Sequence, residues 1–177
     1  MKLVACLVLC ACSDPPHCGP GKAPANELVA TAGGTTWTYS GFMGGLNNDC
    51  RDATAPMGVI SLTLVGRTAD GTGLVGLCIE RPDRLEHGPE PLGPDVAGTP
   101  VHIVDVGGTI GSCSYTIDKT AAVTGTLTQS GLCDNGADPA GFAFTVDAGT
   151  ATIHTADGSC APLAVTLAGT ATFVPPP

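Results

Sequence analysis

The strongest constraint on the fold of this 177-residue chain is a period-two alternation of apolar and polar residues. It is clearest between residues 163 and 173, where Leu163, Val165 and Leu167 share one face and small or polar residues share the other. Alternation of this kind sends successive side chains to opposite faces of a strand, so that one face can be buried. Because no stretch carries a sustained helical period, the sequence predicts an all-β protein.

About nine short segments share this pattern and are separated by turn residues. They are residues 35–39, 59–65, 74–80, 100–106, 111–118, 121–129, 142–146, 150–155 and 163–173. We expect one hairpin to turn at Lys119 and another at residues 147–149, and we expect residues 41–48 to form a loop. Many short strands of this kind are typical of an antiparallel sandwich or barrel. We favour an antiparallel β-sandwich, because nothing in the sequence indicates a large lumen.

The composition excludes some partners. The net charge is -9, with seven Lys and Arg residues against sixteen Asp and Glu residues. So few cations cannot follow a phosphate backbone, so we expect no nucleic acid partner. The anionic surface of a membrane would also repel the chain. The apolar fraction of 43% is ordinary for a globular domain and argues against general disorder.

The N-terminal residues have the pattern of an export signal. Lys2 precedes an apolar run, residues 3–11, that is too short to span a bilayer as a permanent helix. The run ends in Leu9-Cys10-Ala11-Cys12, which resembles the lipobox of bacterial lipoproteins: an aliphatic residue, a small residue, Ala or Gly, then Cys. The resemblance implies that Cys12 carries the lipid and becomes the new N-terminus. An ordinary cleaved secretion signal is the alternative.

This resemblance implies a division of the chain. Residues 1–11 are then a signal peptide, residues 12–25 a Pro- and Gly-rich tether, and residues 26–174 a single β domain. Ser13 follows the lipidated Cys. In the sorting rule of enterobacterial lipoproteins, Asp at that position retains the protein in the inner membrane and Ser does not, so this chain resembles an outer-membrane lipoprotein. We therefore expect a protein of the cell envelope, held to the outer membrane by its N-terminal lipid, on the periplasmic face or the cell surface.

The cysteine count agrees with export. Of nine cysteines, two leave with the signal and Cys12 takes the lipid. The six that remain are Cys18, Cys50, Cys78, Cys113, Cys133 and Cys160. An even, widely spaced set in an exported protein indicates three disulfides. The hairpin expected between residues 142 and 155 would bring its two flanks together, so we predict the pair Cys133–Cys160. The same argument across the Pro-rich loop predicts Cys78–Cys113, which leaves Cys18–Cys50 as the third pair.

The candidate chemical groups give little support to catalysis. Ser112 lacks the glycine two residues later that a nucleophile elbow requires. The histidines are isolated, and for His102 and His154 we expect the solvent face of a strand. Bridged cysteines cannot act as nucleophiles, and no CxxC or Cys-His spacing indicates a metal. We therefore predict no enzyme activity, no cofactor and no metal.

Two other features each have two interpretations. Trp37, the only Trp, could contact a sugar or lipid, but core filling is the favoured interpretation. Asp134, Asn135 and Asp138 could bind calcium, but these residues also form ordinary turns, which we favour.

Residues 81–100 interrupt the strand pattern. They contain five prolines, which are Pro82, Pro89, Pro91, Pro94 and Pro100. We expect these prolines to prevent regular strand pairing, so the segment is either a functional loop or disordered. The sequence thus predicts a non-catalytic envelope domain, binding or structural, whose partner is an envelope protein or a glycan. The alternative is an inhibitor-like module that engages a protease or receptor through residues 81–100.

Overall fold

The computed structural model describes residues 27–47, 61–80, 88–96, 99–133 and 141–173, and within these ranges the protein is all-β, as predicted. The ten strands are β1 Glu27–Ala32, β2 Thr35–Asn47, β3 Ser61–Thr68, β4 Gly73–Ile79, β5 Glu90–Gly93, β6 Val101–Ile110, β7 Cys113–Ile117, β8 Thr124–Cys133, β9 Gly141–His154 and β10 Leu163–Phe173. These ranges include no helix with the length and apolar character needed to cross a membrane.

All ten strands belong to one sheet, whose pairing returns to its starting strand. The hydrogen-bonded order is β10, β1, β2, β3, β4, β6, β5, β8 and β9, and β9 pairs again with β10. The short strand β7 pairs with both β6 and β9. Every pairing is antiparallel except that of β5 with β6. Hydrogen bonds between neighbouring strands thus run through the whole strand order and back to β10.

The hydrophobic core receives side chains from all ten strands of this sheet. Its largest fully buried side chains include Tyr39, Phe144 and Leu28, which come from three different strands. Trp37 is only 4% exposed and belongs to the same core, as the favoured interpretation predicted. The hydroxyl of Tyr39 donates a buried hydrogen bond to the carbonyl of Gly107 at 3.0 Å. Burial of that hydroxyl raises the pKa of Tyr39, so the side chain stays neutral.

Strand β9 corrects the prediction of a hairpin at residues 147–149. The chain does not turn there but continues as one strand of 14 residues. Ala148 has a positive φ of 48°, and the register with β8 and β10 shifts nearby. A Cβ on Gly149 would lie 2.7 Å from the carbonyl oxygen of Leu167. The small residues therefore form a β-bulge between two close neighbouring strands, and not a turn.

The predicted hairpin at Lys119 is also wrong. Strand β7 pairs with β6 through a tight turn at Gly111 and Ser112, whereas β8 pairs with β5 and β9. A Cβ on Gly107 would lie 2.1 Å from the carbonyl oxygen of Tyr115, so the close approach of β7 to β6 requires glycine. The sequence pattern showed two strands around Lys119 but not which neighbours they pair with.

Two segments predicted to be irregular are strands. Residues 41–47 continue β2 after a register shift between Ser40 and Met43, which Gly41 allows with a φ of 60°. Residues 90–93 form β5 although Pro91 lies within it. Glu90 and Pro91 pair only with β8, and the next two residues pair only with β6. The missing N–H of Pro91 therefore affects pairing on one side of the strand at most.

The disulfides differ from the predicted pairs. Cys113 is bonded to Cys160, with their Cα atoms 6.3 Å apart, so the pairs Cys78–Cys113 and Cys133–Cys160 are both wrong. Because β9 does not turn back, its last residues pair with β7 and the chain that follows passes the start of β7. Cys78 is also disulfide-bonded. The predicted pair Cys18–Cys50 lies outside the described residues.

Candidate functional site

Two open clefts lie on either side of β7 and share its residues Ser114, Tyr115 and Thr116. The first has a volume of about 240 Å³ and is bounded by the β3–β4 turn and by β6. The second has a volume of about 410 Å³ and is bounded by the chain that follows β9. The side chains that line them include Arg67, Thr72, Asp105, Ser112, Thr155, Asp157 and Ser159.

The short length of β7 and the glycines of β6 create the first cleft. Gly107 and Gly108 contribute no side chains to its floor. A Cβ on Gly108 would lie 2.5 Å from the indole nitrogen of Trp37, so the core packs directly beneath this backbone. The cleft floor is consequently polar backbone, and the groups that could select a ligand are the side chains on its walls.

Hydrogen bonds fix Asp105 in the wall of the first cleft and Asp70 in the turn beside it. One carboxylate oxygen of Asp105 accepts a hydrogen bond from the hydroxyl of Thr116 at 2.8 Å. Asp70, in the β3–β4 turn, accepts hydrogen bonds from the Thr68 hydroxyl and from both the N–H and hydroxyl of Thr72. These bonds, that from Thr68 above all, lower the pKa of Asp70 to about 2.

The second cleft has a similar wall. Asp157 accepts a hydrogen bond from the N–H of Ser159 at 3.0 Å, which lowers the pKa of Asp157. The carboxylates of Asp70 and Asp157 are therefore ionised hydrogen-bond acceptors near neutral pH. Among the described residues that line the clefts there is no histidine or cysteine. The groups on offer are hydroxyls, carboxylates and one guanidinium, which suit the hydroxyl groups of a polar ligand.

A second cluster of functional groups is buried where β4, β5 and β6 meet. Cys78 and His102 are direct partners across the β4–β6 pairing. Glu80 lies two residues beyond Cys78, and its N–H donates to the carbonyl of Pro100 at 2.8 Å. The exposed fractions of Cys78, Glu80 and His102 are 0%, 4% and 3%. Cross-strand pairing and the two-residue strand period thus bring three groups with different chemistry together.

The His102 ring contacts acidic or carbonyl oxygens on both sides. Its Nδ1 lies 3.3 Å from Oδ1 of Asp95, and its Nε2 contacts the carbonyl oxygen of Thr99. Nε2 also lies 3.8 Å from Oε1 of Glu80. Both ring nitrogens thus face groups that only accept hydrogen bonds. His102 lies between the carboxylates of Asp95 and Glu80.

A surface cation completes the cluster. The ammonium group of Lys119 donates to Oδ2 of Asp95 at 2.8 Å, and this bond is the main reason that the pKa of Asp95 is lowered. Basic and acidic side chains therefore alternate from Lys119 at the surface through Asp95 and His102 to Glu80 in the interior. The pairing compensates charges that would otherwise be costly to bury.

Glu80 is the residue of this cluster whose side chain makes no hydrogen bond in the described part of the chain. Both of its carboxylate oxygens are buried and have no hydrogen-bond partner in the described part of the chain. The ligand atoms of Cys78, Glu80 and His102 all lie within 4.8 Å of one another. By type and placement these three are the described residues that could hold a metal ion.

The positions of the predicted residues can now be compared with the structure. His102 is buried, so its expected place on a solvent face is wrong, whereas His154 is half-buried. Ser112 is exposed in the turn between β6 and β7 and borders the second cleft. Cys12 and the candidate calcium ligands Asp134, Asn135 and Asp138 lie outside the described residues.

Sequence reasoning missed the pairing of Cys78 with His102. The signal for it was present in part, because residues 74–80 and 100–106 both have strand alternation. What the sequence did not contain was the register between these strands, including a shift at Gly76 and Leu77. One residue of slip would move His102 to the opposite face from Cys78.

No protein-family model matches this chain, and neither the curated proteins nor the solved structures include a significant match. The described residues that bear most directly on function are accordingly those of the two clefts and of the buried cluster.

Proposed function

We propose that this chain is a lipid-anchored protein of the outer membrane whose β domain binds an envelope glycan, without catalysis, in the two clefts along β7. The observation that carries the proposal is that Ser114, Tyr115 and Thr116 border both clefts. A ligand that crosses β7 can therefore contact both walls at once. The hydroxyls and carboxylates there match the repeated hydroxyl groups of a sugar chain.

The size and charge of the clefts support this class of ligand. Ligand sites usually have volumes of roughly 300–1,000 Å³, and the larger cleft falls in that range. Arg67 is the cation among the described residues of the first cleft, and Asp105 also lines that cleft. A strongly anionic ligand would meet the carboxylates of Asp105 and Asp157, so a neutral or weakly charged glycan is favoured.

The binding proposal can be tested by blocking β7. Ser114 is exposed and borders both clefts, so Ser114→Arg would place a long side chain where the ligand crosses. We expect this variant to bind soluble fragments of envelope polysaccharide at least about tenfold more weakly, a loss of roughly 1.4 kcal/mol in binding free energy. Isothermal titration calorimetry measures the change.

The matched control is Thr38→Arg, at an exposed strand position on β2 outside both clefts. It should leave affinity unchanged, because it adds the same charge without entering a cleft. Equal weakening by the two variants would indicate a nonspecific charge effect. No binding by the wild-type protein to any fragment would refute the glycan proposal.

The anchoring part of the proposal has a separate test. An acidic chain is repelled by an anionic membrane surface, so attachment depends on the acyl chains of the lipidated Cys. Cys12→Ser should release the protein from the membrane fraction or stop its processing. Cys10→Ser, two residues earlier in the same signal, is the control and should leave membrane attachment intact. Unchanged partitioning of the Cys12 variant into detergent would contradict lipid anchoring.

The alternative of an inhibitor-like module is less well supported. Such a module would present residues 81–100 to a protease or receptor. Within that segment, residues 90–93 pair with β6 on one side and β8 on the other, and Leu92 is 4% exposed. A strand built into the sheet in this way cannot lie in a protease cleft without breaking those pairings.

A further inference from the structure

We propose that Cys78, Glu80 and His102 form a zinc site that becomes available when a dithiol reduces the disulfide of Cys78. The inference concerns the buried cluster of β4 and β6 and does not depend on the ligand of the clefts. Thiolate, carboxylate and imidazole are the three ligand types that proteins most often offer to Zn²⁺. Here one of each lies on two paired strands, within 4.8 Å of the others.

The distances suit a tetrahedral ion. Zinc ligands lie about 2.0–2.3 Å from the metal, so their atoms are about 3.4 Å from one another. Nε2 of His102 and Oε1 of Glu80 are already 3.8 Å apart. The ion would replace the contact between Nε2 and the carbonyl of Thr99. Three protein ligands leave the fourth position for water.

Asp95 has the position of the group that orients a metal-bound histidine. Metal-binding histidines usually donate their other ring N–H to a carboxylate or carbonyl, which fixes the ring and its tautomer. Nδ1 of His102 faces Asp95, and the bond from Lys119 holds that carboxylate in place. The arrangement directs Nε2 toward Glu80 and Cys78.

The carboxylate of Glu80 is a second observation, independent of the ligand distances, that points to a bound ion. A buried carboxylate without hydrogen bonds has a substantial desolvation cost, and its oxygens have no partner in the described part of the chain. Nε2 of His102 lies 3.8 Å from Oε1 of Glu80 but does not hydrogen-bond it. A divalent cation bound by one of these oxygens would compensate the charge directly.

The chemistry balances with a dithiol as the reductant. Two thiol–disulfide exchange steps oxidise the dithiol to a cyclic disulfide and convert the Cys78 disulfide into two thiols. Zn²⁺ then binds Cys78 with loss of the thiol proton and binds the lone pair of His102 Nε2, while Nδ1 faces Asp95. The thiol proton goes to solvent, so binding should release protons measurably. In the oxidised protein Cys78 has no thiolate to offer.

Cobalt(II) is the probe for the test, because a cobalt–thiolate bond gives a charge-transfer absorption. The full chain is reduced anaerobically with excess dithiol, freed of the dithiol by gel filtration, and titrated with Co²⁺, then with Zn²⁺. We expect one equivalent of Co²⁺ to give this absorption, Zn²⁺ to abolish it, and the oxidised protein not to show it. Cys78→Ser should eliminate the absorption, and His102→Gln and Glu80→Gln should each weaken binding at least about tenfold.

Reduction also opens the Cys113–Cys160 disulfide, so the control is the double variant Cys113→Ser/Cys160→Ser. It should keep the cobalt absorption after reduction. Absorption that persists in Cys78→Ser, or that His102→Gln leaves unchanged, would overturn the proposal. Circular dichroism follows the fold in parallel. Loss of the strand signal on reduction that Zn²⁺ does not restore would overturn it as well, since zinc binding should stabilise the folded state.

Discussion

Replacement of His102 by leucine is expected to lower the free energy of unfolding by about 3–5 kcal/mol, the usual cost of removing one partner of a buried ion pair. Leucine fills a similar volume, so the loss comes mainly from charge and not from a cavity. Without the imidazole ring, the buried carboxylate of Glu80 loses the basic group whose Nε2 lies 3.8 Å from its Oε1. Urea unfolding followed by circular dichroism measures the change.

Glu80→Leu is the matched variant and should behave very differently. Both Glu80 oxygens lack hydrogen-bond partners in the described residues, so replacing this carboxylate by an apolar side chain breaks no hydrogen bond that the structure shows. We expect Glu80→Leu to cost less than about 1 kcal/mol, or to stabilise the protein, because it removes a desolvation cost. The double variant His102→Leu/Glu80→Leu should be more stable than His102→Leu alone. Equal losses in the single and double variants would show that His102 acts through packing and not through Glu80.

The strand pattern could be predicted because alternation and turn residues are local properties. Residues 163–173 were predicted as a strand and form β10 with the same bounds. The prediction failed at residues 147–149, where Asp-Ala-Gly is compatible with a hairpin turn and with a bulge. Only the close neighbours decide between them, and here the carbonyl of Leu167 leaves room for nothing larger than Gly149.

Pairing partners could not be predicted from the sequence. Strand β7 fits against β6 because Gly107 has no Cβ, and it reaches the end of β9 as well. The contacts of β7 with β9 join residues 36 or 38 positions apart, such as Ile117 and Ile153, and no local pattern encodes them. The disulfide pairs and the Cys78–His102 cluster both depend on this pairing, which is why both were missed.

The disulfide between Cys113 and Cys160 should contribute substantially to the free energy of unfolding. It closes a loop with a sequence separation of 47, for which the loss of unfolded-state entropy corresponds to about 4 kcal/mol at most. We expect Cys113→Ser/Cys160→Ser to lower the free energy of unfolding by about 2–4 kcal/mol and to raise the urea m-value, because the unfolded chain becomes less compact.

The same variant should also weaken ligand binding in the second cleft. Residues 155–159 form one wall of that cleft, and Cys160 follows them directly. The disulfide and the bond from the N–H of Cys160 to the hydroxyl of Thr155 fix this segment against β7. Ser112→Ala is the control, because Ser112 is exposed beside Cys113, and its substitution should change stability by less than about 0.5 kcal/mol. If the double serine variant were within that margin as well, the bridge would not restrain the segment, and the second cleft would need another source of rigidity.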